Sequence, residues 1–203
     1  AIRIAGMTGN PAPRLKDKAI VLFAADHHIA DHGLSLTSTD VTYIQTRNFL
    51  QGGGTINAFT RNAGARLSVV DVGVNYDFGD LPGLVKRKVM HGASDFSRGP
   101  AMTREQALEC LQVGIDIARE EKARGLDIVA AGEMGIGNTS AASLLLARLG
   151  DLSIADCIGL ISNLSSSYIP LTIKCTLLST PYNLYILKIC LLVFINYRKV
   201  ILN

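Results

Sequence analysis

The chain has 203 residues, of which 48% are hydrophobic and 18% charged, and its formal net charge is +3. This composition is ordinary for a soluble α/β protein. The excess positive charge lies in residues 162–203, which hold four basic residues and no acid. The rest of the chain therefore has no basic field of the kind that nucleic-acid binding requires, and no nucleic-acid partner is expected.

The first strong strand signal is the continuous apolar run at residues 18–25. Uninterrupted runs that contain β-branched residues are typical of buried parallel strands. The run ends in Asp26, His27 and His28, which places polar groups at the carboxyl end of the strand. Open α/β sheets bind their ligands at this edge, so these residues are candidates for a substrate site.

A helical pattern follows at residues 40–63, with Asp40 as a plausible N-cap. Three consecutive glycines at 52–54 interrupt the pattern. The apolar positions that should face the core are Val41, Ile44, Phe49 and Leu50.

The later elements repeat the order of strand, polar loop and helix. They are a strand at 67–73, a helix from 104 to 124, a strand at 126–131 and a helix at 140–149. Thr103 and Gln106 match the capping-box pattern at the start of the long helix. The repetition predicts right-handed βαβ units and an open, parallel, Rossmann-like α/β sheet with flanking helices, incomplete as it stands.

The composition changes near the end of the chain. Glycine and alanine are common up to Gly159 and do not occur after it. Residues 184–195 are apolar but too few to span a membrane, and Lys188 interrupts them, so no membrane association is expected. We interpret residues 160–203 as a divergent tail. Translation of an AT-rich intron, or a frameshift, would produce this composition, and the tail would then not be native to the fold.

The cysteines and the amino terminus indicate the compartment. The four cysteines form no CxxC pair and match no zinc module, so we expect free thiols in a reducing, cytoplasmic environment. The chain opens without the basic and apolar segments of a secretory signal. Its abrupt opening, with the first strong strand signal only at residue 19, suggests a missing beginning.

The cluster from Asp26 to His32 admits a metal-binding interpretation. Carboxylates and imidazoles can hold a divalent ion, and the triplet Asp-His-His is typical of manganese phosphoesterases. Those enzymes require further acidic ligands on neighbouring strands, and no paired Asp-x-Asp precedes this cluster. A metal site is therefore not expected. The remaining alternatives are hydrogen bonds that order the loop and support for a substrate site.

The glycine-rich turn at 132–139, Gly-Glu-Met-Gly-Ile-Gly-Asn-Thr, is the strongest motif. Glycines between a strand and a helix allow backbone N–H groups to approach an anion. The spacing fits neither the dinucleotide fingerprint nor a P-loop. Asn138 or Thr139 could cap the helix, and Glu133 could hold sugar hydroxyls. Plain turn chemistry is the alternative.

These motifs resemble those of the nicotinate-nucleotide:5,6-dimethylbenzimidazole phosphoribosyltransferase family, in its order and spacing, over about residues 1–158. The most specific blocks are Gly99-Pro-Ala-Met-Thr103 and the complete turn at 132–139, and further matches include Phe23–His27, Gly33–Ser35, Asn48–Leu50 and Val70–Val74. The resemblance implies that residues 1–159 are part of the large domain of such a transferase, truncated at both ends, and that the protein is a homodimer.

The resemblance also implies a reaction. The family transfers phosphoribose from nicotinate mononucleotide to 5,6-dimethylbenzimidazole, giving α-ribazole 5′-phosphate and nicotinate in cobalamin biosynthesis. The leaving pyridinium is already cationic, so it departs without a general acid. The acceptor ring must lose a proton, so catalysis requires at least one carboxylate that acts as a general base. The chemistry requires no metal, and no cofactor is expected.

Roles are assigned to residues that match the family's motifs. Ser35 would line the benzimidazole pocket, Glu133 would face the ribose and nicotinate side, and the backbone at Gly135 and Gly137 would contact the nucleotide. The full predicted substrate-binding set is Asp26, His27, Ser35, Gln45, Glu133, Gly135, Gly137 and Asn138.

Three departures from the family pattern limit these assignments. His28 stands where the family usually has glycine, and Ile44 stands where it has the glutamine of the benzimidazole pocket. Gln45 is one place further on, and one residue turns a helical side chain by about 100°, so Gln45 need not substitute. After Asp156 the chain diverges and contains no acid.

The family's general base is a glutamate near its C-terminus, so this base is missing from the chain, with Glu133 in a supporting role. We therefore expect a member of an enzyme family, a pentosyltransferase, that is itself inactive. The alternatives are a catalytically inactive nucleotide-binding homologue and a metal phosphoesterase of the Asp-His-His type.

Overall fold

A computed structural model describes residues 2–157 of the chain, so the predicted tail at 160–203 lies outside the described residues. Within them, helices and strands follow one another as α1 Ile2–Thr8, β1 Lys18–Ala25, α2 Asp40–Leu50, α3 Thr55–Ala63, β2 Ala65–Gly73, β3 Leu84–Lys86, α4 Arg104–Ala123, β4 Ile128–Met134, α5 Asn138–Gly150 and α6 Ile154–Cys157. One turn of 3-10 helix, His28–His32, follows β1.

The four strands form a parallel sheet in the order β3-β2-β1-β4, which confirms the predicted α/β fold. Strand β1 is central, and Ala24 near its end is level with both Asp71 and Met134. Asp26, Asp71 and Glu133 therefore lie at the same carboxyl edge of the sheet, as predicted from the strand ends.

The apolar run of β1 is continuous because both faces of this strand are covered. Val21 and Phe23 pack in a core cluster with Val113 and Ile117 of α4. Leu22 and Ala24 belong to a second cluster on the opposite face. Partly buried apolar residues of α2 and α3 pack against that second cluster, namely Tyr43, Phe49, Leu50 and Ile56. Two-sided burial is typical of parallel sheets.

Helix α4 begins as its sequence predicts. The Thr103 side chain accepts a hydrogen bond from the Gln106 backbone N–H at 3.2 Å, and the Gln106 side chain accepts one from the Thr103 N–H at 2.8 Å. The helix ends at Ala123, and Gly125 follows with φ of 80°. The predicted capping box is confirmed.

Helix α2 departs from the prediction at its start. Asp40 is the first helical residue and not the N-cap, because Thr39 precedes it with helical angles of φ −61° and ψ −25°. The Thr39 side chain makes no capping hydrogen bond. Instead Ser38 caps locally, since its hydroxyl donates to the Asp40 carboxylate and accepts from the Asp40 N–H.

The buried face of α2 also differs from the predicted one. Ile44 is 55% exposed, whereas Thr42 and Thr46 are fully buried. Threonine can be buried here because its hydroxyls have partners: Thr46 donates to the Thr42 carbonyl at 2.7 Å, and Thr42 accepts from the Ile136 N–H at 3.1 Å. The predicted glycine interruption is confirmed, since residues 51–54 separate α2 from α3.

The opposite, amino end of the sheet is held by a buried carboxylate. Glu121 of α4 is only 2% exposed and accepts hydrogen bonds from Ser68 at 2.7 Å and Arg66 at 3.1 Å. Arg124 lies 3.0 Å from the same carboxylate. Burial alone would raise its pKa, but these donors and charges outweigh burial and lower it. The network fixes α4 against β2 away from the candidate site.

The described part of the chain bears on two further predictions. Cys110 and Cys157 are free thiols, as expected, and burial raises the pKa of Cys110 to about 12, so it is unreactive. In residues 2–157 no helix combines the length and the apolar character that crossing a membrane demands.

Candidate functional site

A cleft opens at the carboxyl edge of the sheet, beside the ends of β1 and β2. Three segments of the chain line it: Asp26, His27, His28 and Asp31 after β1, Thr39, Asp40 and Tyr43 at the start of α2, and Asn75 and Tyr76 after β2. Ligands of open α/β sheets bind at this place.

Asp26 forms the buried end of the cleft and is 7% exposed. Its backbone is fixed on both sides, by a hydrogen bond from its N–H to the Gly73 carbonyl and one from the Ala93 N–H to its carbonyl. Oδ2 accepts a hydrogen bond from the Asn75 N–H at 2.7 Å. Oδ1 is buried and has no hydrogen-bond partner among the described residues. Such a group is costly in a folded protein and is often explained by function.

His27 is held between the end of β1 and the glycine-rich turn. Burial lowers its pKa to about 4, although the neighbouring Asp26 carboxylate acts in the opposite direction. The ring is therefore neutral near pH 7. Its Nδ1 atom is also buried without a partner among residues 2–157.

His28 lies on the other side of the cleft and has two acceptors. Its Nδ1 is 2.9 Å from the Asp31 carboxylate and its Nε2 is 3.3 Å from the His91 carbonyl oxygen. Both nitrogens must donate to satisfy this arrangement, so the geometry favours the imidazolium form. The hydrogen bond to Asp31 is the main reason that the pKa of His28 is raised.

The glycines of the turn at 132–139 have structural reasons to be glycine. A Cβ at Gly135 would lie 2.1 Å from the Ala25 carbonyl oxygen and 3.1 Å from the His27 ring. Gly137 has φ of 91°, and a Cβ there would lie 3.2 Å from Ile29. Plain turn chemistry therefore explains both positions, and a nucleotide contact by either remains a prediction.

The end of this turn corrects one expectation. Gly137 is the N-cap of α5 and Asn138 is its first residue, so neither Asn138 nor Thr139 caps the helix. The Asn138 side-chain amide instead reaches back and donates to the Glu133 carboxylate. Glu133 is exposed, near the end of β4, and is not one of the residues that line the cleft.

The structure places Ser35 and Gln45 outside the cleft lining. The Ser35 hydroxyl pairs with Thr37, 2.8 Å away, in the loop that leads to α2. The Gln45 side-chain oxygen accepts from Asn48 at 3.0 Å along α2. The predicted substrate residues therefore form two groups at one edge of the sheet, Asp26 with His27 in the cleft and Glu133 with Asn138 at the turn.

Sequence reasoning missed the aromatic wall of the cleft. The rings of Tyr43 and Tyr76 lie 3.8 Å apart between centroids and are inclined by 34°. Asn75 and Tyr76 follow the carboxyl end of β2, and this position could have identified them as candidates by the same rule that identified Asp26.

Within residues 2–157, no group of three or more His, Cys, Asp or Glu side chains could hold a metal ion. Members of the Asp-His-His cluster form pairs instead: His28 with Asp31, and His32 with Asp95 at 2.8 Å. The phosphoesterase alternative thus finds no ligand set in this part of the chain.

Comparison with known proteins identifies relatives along most of the chain. A phosphoribosyltransferase family model matches residues 1–178, past the predicted boundary at 159. The nicotinate-nucleotide–dimethylbenzimidazole phosphoribosyltransferase of Geobacter sulfurreducens is 47% identical over 154 residues, covering 76% of this chain and 44% of the relative. Its counterpart from Chloroflexus aggregans is 45% identical over 159 residues, covering 78% and 45%.

The solved structures agree with the sequence relatives. The crystal structure of CobT from Thermus thermophilus superimposes with a TM-score of 0.83 at 37% identity, covering 89% of this chain and 55% of that one. The chain spans less than half the length of the relatives it matches in sequence. Motifs, fold and relatives agree, and the chain belongs to the family of nicotinate-nucleotide–dimethylbenzimidazole phosphoribosyltransferases.

Proposed function

We propose that the chain contributes the substrate-binding edge of a nicotinate-nucleotide:5,6-dimethylbenzimidazole phosphoribosyltransferase that acts in cobalamin biosynthesis. Phosphoribose would pass from nicotinate mononucleotide to the benzimidazole nitrogen, giving α-ribazole 5′-phosphate and nicotinate. The observation that carries the proposal is the joint position of the complete 132–139 turn and the Asp26 cleft at one sheet edge, in a chain of this family.

The chemistry suits the groups that this edge presents. Nicotinate leaves as a neutral pyridine nitrogen from a cationic precursor and needs no acid. Positive charge develops at the anomeric carbon, and nearby carboxylates stabilise it. Glu133 is exposed and held in place by Asn138, which suits a carboxylate that receives hydrogen bonds from ribose hydroxyls.

The phosphate of the nucleotide would lie near the start of α5. This helix has 13 residues, and its N-cap Gly137 has no side chain that could cover the first N–H groups. Helix N-termini attract anions through these groups and the helix dipole. Gly135 and Gly137 would contact the nucleotide through their backbone.

The test is calorimetric titration of the chain with nicotinate mononucleotide. Glu133→Gln should weaken binding about tenfold, because a charge-assisted hydrogen bond is lost. Glu109→Gln is the matched control, since Glu109 is exposed on α4 and lies outside the cleft and the turn. Equal affinity in wild type and Glu133→Gln would show that Glu133 is only a loop residue and would remove the main support for the proposal.

A catalytically inactive homologue that binds nucleotide is the second candidate, favoured by the absence of any acid after Asp156 in the sequence. Titration alone does not separate it from an enzyme. Formation of α-ribazole phosphate from both substrates does.

Family membership also supports a homodimer in the cytoplasm whose partners are the two small substrates, with no nucleic acid. Sedimentation of the purified chain tests the dimer, and a monomer at micromolar concentration would contradict it.

A further inference from the structure

Strand β4 is an edge strand of the described sheet, but it does not have the sequence of one. In the order β3-β2-β1-β4 it pairs with β1 on one side and has no neighbour on the other among residues 2–157. Exposed edges are normally protected by lysine or proline. The sequence of β4, Ile-Val-Ala-Ala-Gly-Glu-Met, contains neither and is as apolar as an internal strand. Yet none of its seven residues is buried, and Ile128 is 42% exposed.

Helix α5, which follows β4, has a second apolar side that the described residues leave bare. One side of the helix is buried, with Leu145 only 4% exposed. A further stripe is formed by Ala142, Leu146 and Leu149, whose spacing of i, i+4 and i+7 places them along one face. Leu146 is 50% exposed, and Leu152, just after the helix, is 51% exposed. This exposed stripe and the free side of β4 are adjoining surfaces that need a cover.

The connection that leaves β4 indicates where the cover comes from. The chain passes from β4 through α5 to α6, which packs against α5 and ends at Cys157. In a strand–helix–strand unit the helix packs back onto the sheet, and the next strand pairs in parallel beside the first. Strand β1 already occupies one side of β4. The next strand of the chain would therefore take the free side, under the bare stripe of α5.

Residues 171–178, Leu-Thr-Ile-Lys-Cys-Thr-Leu-Leu, lie outside the described residues and have the sequence that such a strand requires. Apolar residues alternate with Thr172, Lys174 and Thr176, which is typical of a strand with one covered face. Pro170 precedes the segment and Pro181 follows it closely, and prolines commonly bound strands. A lysine on the outer strand would protect the new edge of the sheet.

We propose that residues 171–178 pair in parallel with the free side of β4 and place the apolar face that contains Ile173 against the exposed stripe of α5. The phosphoribosyltransferase family model also extends to residue 178, so this part of the tail belongs to the fold. A second copy of the chain, paired edge to edge, is the alternative occupant. The inference is independent of the proposed function, but it gives the strand that carries Glu133 a neighbour on each side.

Amide hydrogen exchange of the full chain, resolved by residue, tests the pairing. Backbone amides of a strand point to its two sides in turn, so a free edge protects only alternate residues of Ile128–Met134. We expect protection along the whole strand, with the amides that point away from β1 exchanging about 100-fold more slowly than exposed ones. Protection of alternate residues only would overturn the proposal.

Dilution of the protein separates the two occupants. Pairing within one chain does not depend on concentration, so the protection of β4 should stay the same in dilute and concentrated samples. Protection that disappears on dilution would assign the edge to a second copy and would also overturn the proposal.

Two variants with the same new side chain test the orientation of the segment. Ile173→Lys places a charge against the apolar stripe of α5 and should speed exchange of the outward amides of β4 about tenfold or more, while β1 stays protected. Thr172→Lys changes the opposite face and should leave both strands as they are. Equal effects of the two variants would contradict the proposal. If Ile173→Lys fails to fold, as judged by loss of protection in β1, the exchange pattern of the wild type decides.

Discussion

Lys88 Nζ lies 2.8 Å from Asp71 Oδ2, and the Asp71 side chain is only 3% exposed. The other carboxylate oxygen of Asp71 accepts the Val74 N–H at 2.9 Å. Lys88 also donates to the Val74 carbonyl. This ion pair therefore fixes the segment that carries Asn75 and Tyr76 into the cleft.

Lys88→Met should destabilise the protein by about 3–5 kcal/mol, because it leaves a buried carboxylate without its charge partner. The measurement is urea denaturation. Lys86→Met is the control: Lys86 pairs with Asp80 at 2.9 Å, but both side chains are at least half exposed, so the expected loss is below about 1 kcal/mol. Similar losses of unfolding free energy in the two variants would show that the buried Asp71 carboxylate does not need the charge of Lys88.

Gly135→Ala should displace the glycine-rich turn from the end of β1. The added methyl group would meet the Ala25 carbonyl oxygen at 2.1 Å, and backbone cannot yield as a flexible side chain can. We expect a loss of about 1–3 kcal/mol in the free energy of unfolding. Gly99→Ala is matched, since no atom lies within 4 Å of its added Cβ. The measurement is the thermal unfolding midpoint of each variant. Equal midpoints for Gly135→Ala and Gly99→Ala would refute the close packing of Gly135 against the Ala25 carbonyl oxygen.

The buried His27 should make the protein less stable in mild acid. Its pKa in the folded protein is about 4, against 6.5 as the ordinary value, so between these pH values the unfolded chain binds more protons and stability falls as pH falls. The total effect is on the order of 3 kcal/mol.

Urea denaturation of the wild type and His27→Gln from pH 7 to pH 4 measures the His27 effect by difference, because Asp26 and His28 remain in both proteins. The variant should show a shallower decline. Parallel curves would mean that His27 is protonated as readily when folded as when unfolded.

The chain of 203 residues should turn over negligibly even if it binds both substrates. The family's base is expected in a segment near its C-terminus, and this chain has no acid after Asp156. General-base assistance is commonly worth about 10²–10⁴-fold. Incubation with nicotinate mononucleotide and 5,6-dimethylbenzimidazole, followed by detection of α-ribazole phosphate, measures the rate. A rate near that of a full-length family member would contradict this and point to Asp26 as the base.

The sheet was predictable because its signals are local. The apolar run predicted at residues 18–25 has the same bounds as strand β1. The start of α4 was predictable from Thr103 and Gln106, two residues only three positions apart that form its capping box. Strand β3 was missed because three residues cannot show a period. Strand β4 extends to Met134 because it pairs with β1 residue for residue, which no local pattern reveals.

The candidate site was predictable only in part. Asp26 followed from its place after a strand, but the contact of Tyr43 with Tyr76 joins two distant segments through the fold. Ile44 was expected in the core because it is apolar, but it is exposed. Thr42 is buried instead, and its hydroxyl accepts a hydrogen bond from the Ile136 N–H. Side-chain hydrogen bonds that cross between elements decided these positions.

The strand order has a consequence for biosynthesis. Strand β1 is made first but ends at the centre of the sheet, with partners at residues 65–73 and 128–134. On the ribosome, the β1–β2 pair and the contact between Tyr43 and Tyr76 can form once residue 76 has emerged. Strand β4 and the glycine-rich turn that follows it must pair later with the free edge of β1. Closing such long loops slows folding. The amides of β1, a strand with hydrogen-bonded neighbours on both sides, should be the last to exchange with solvent deuterium.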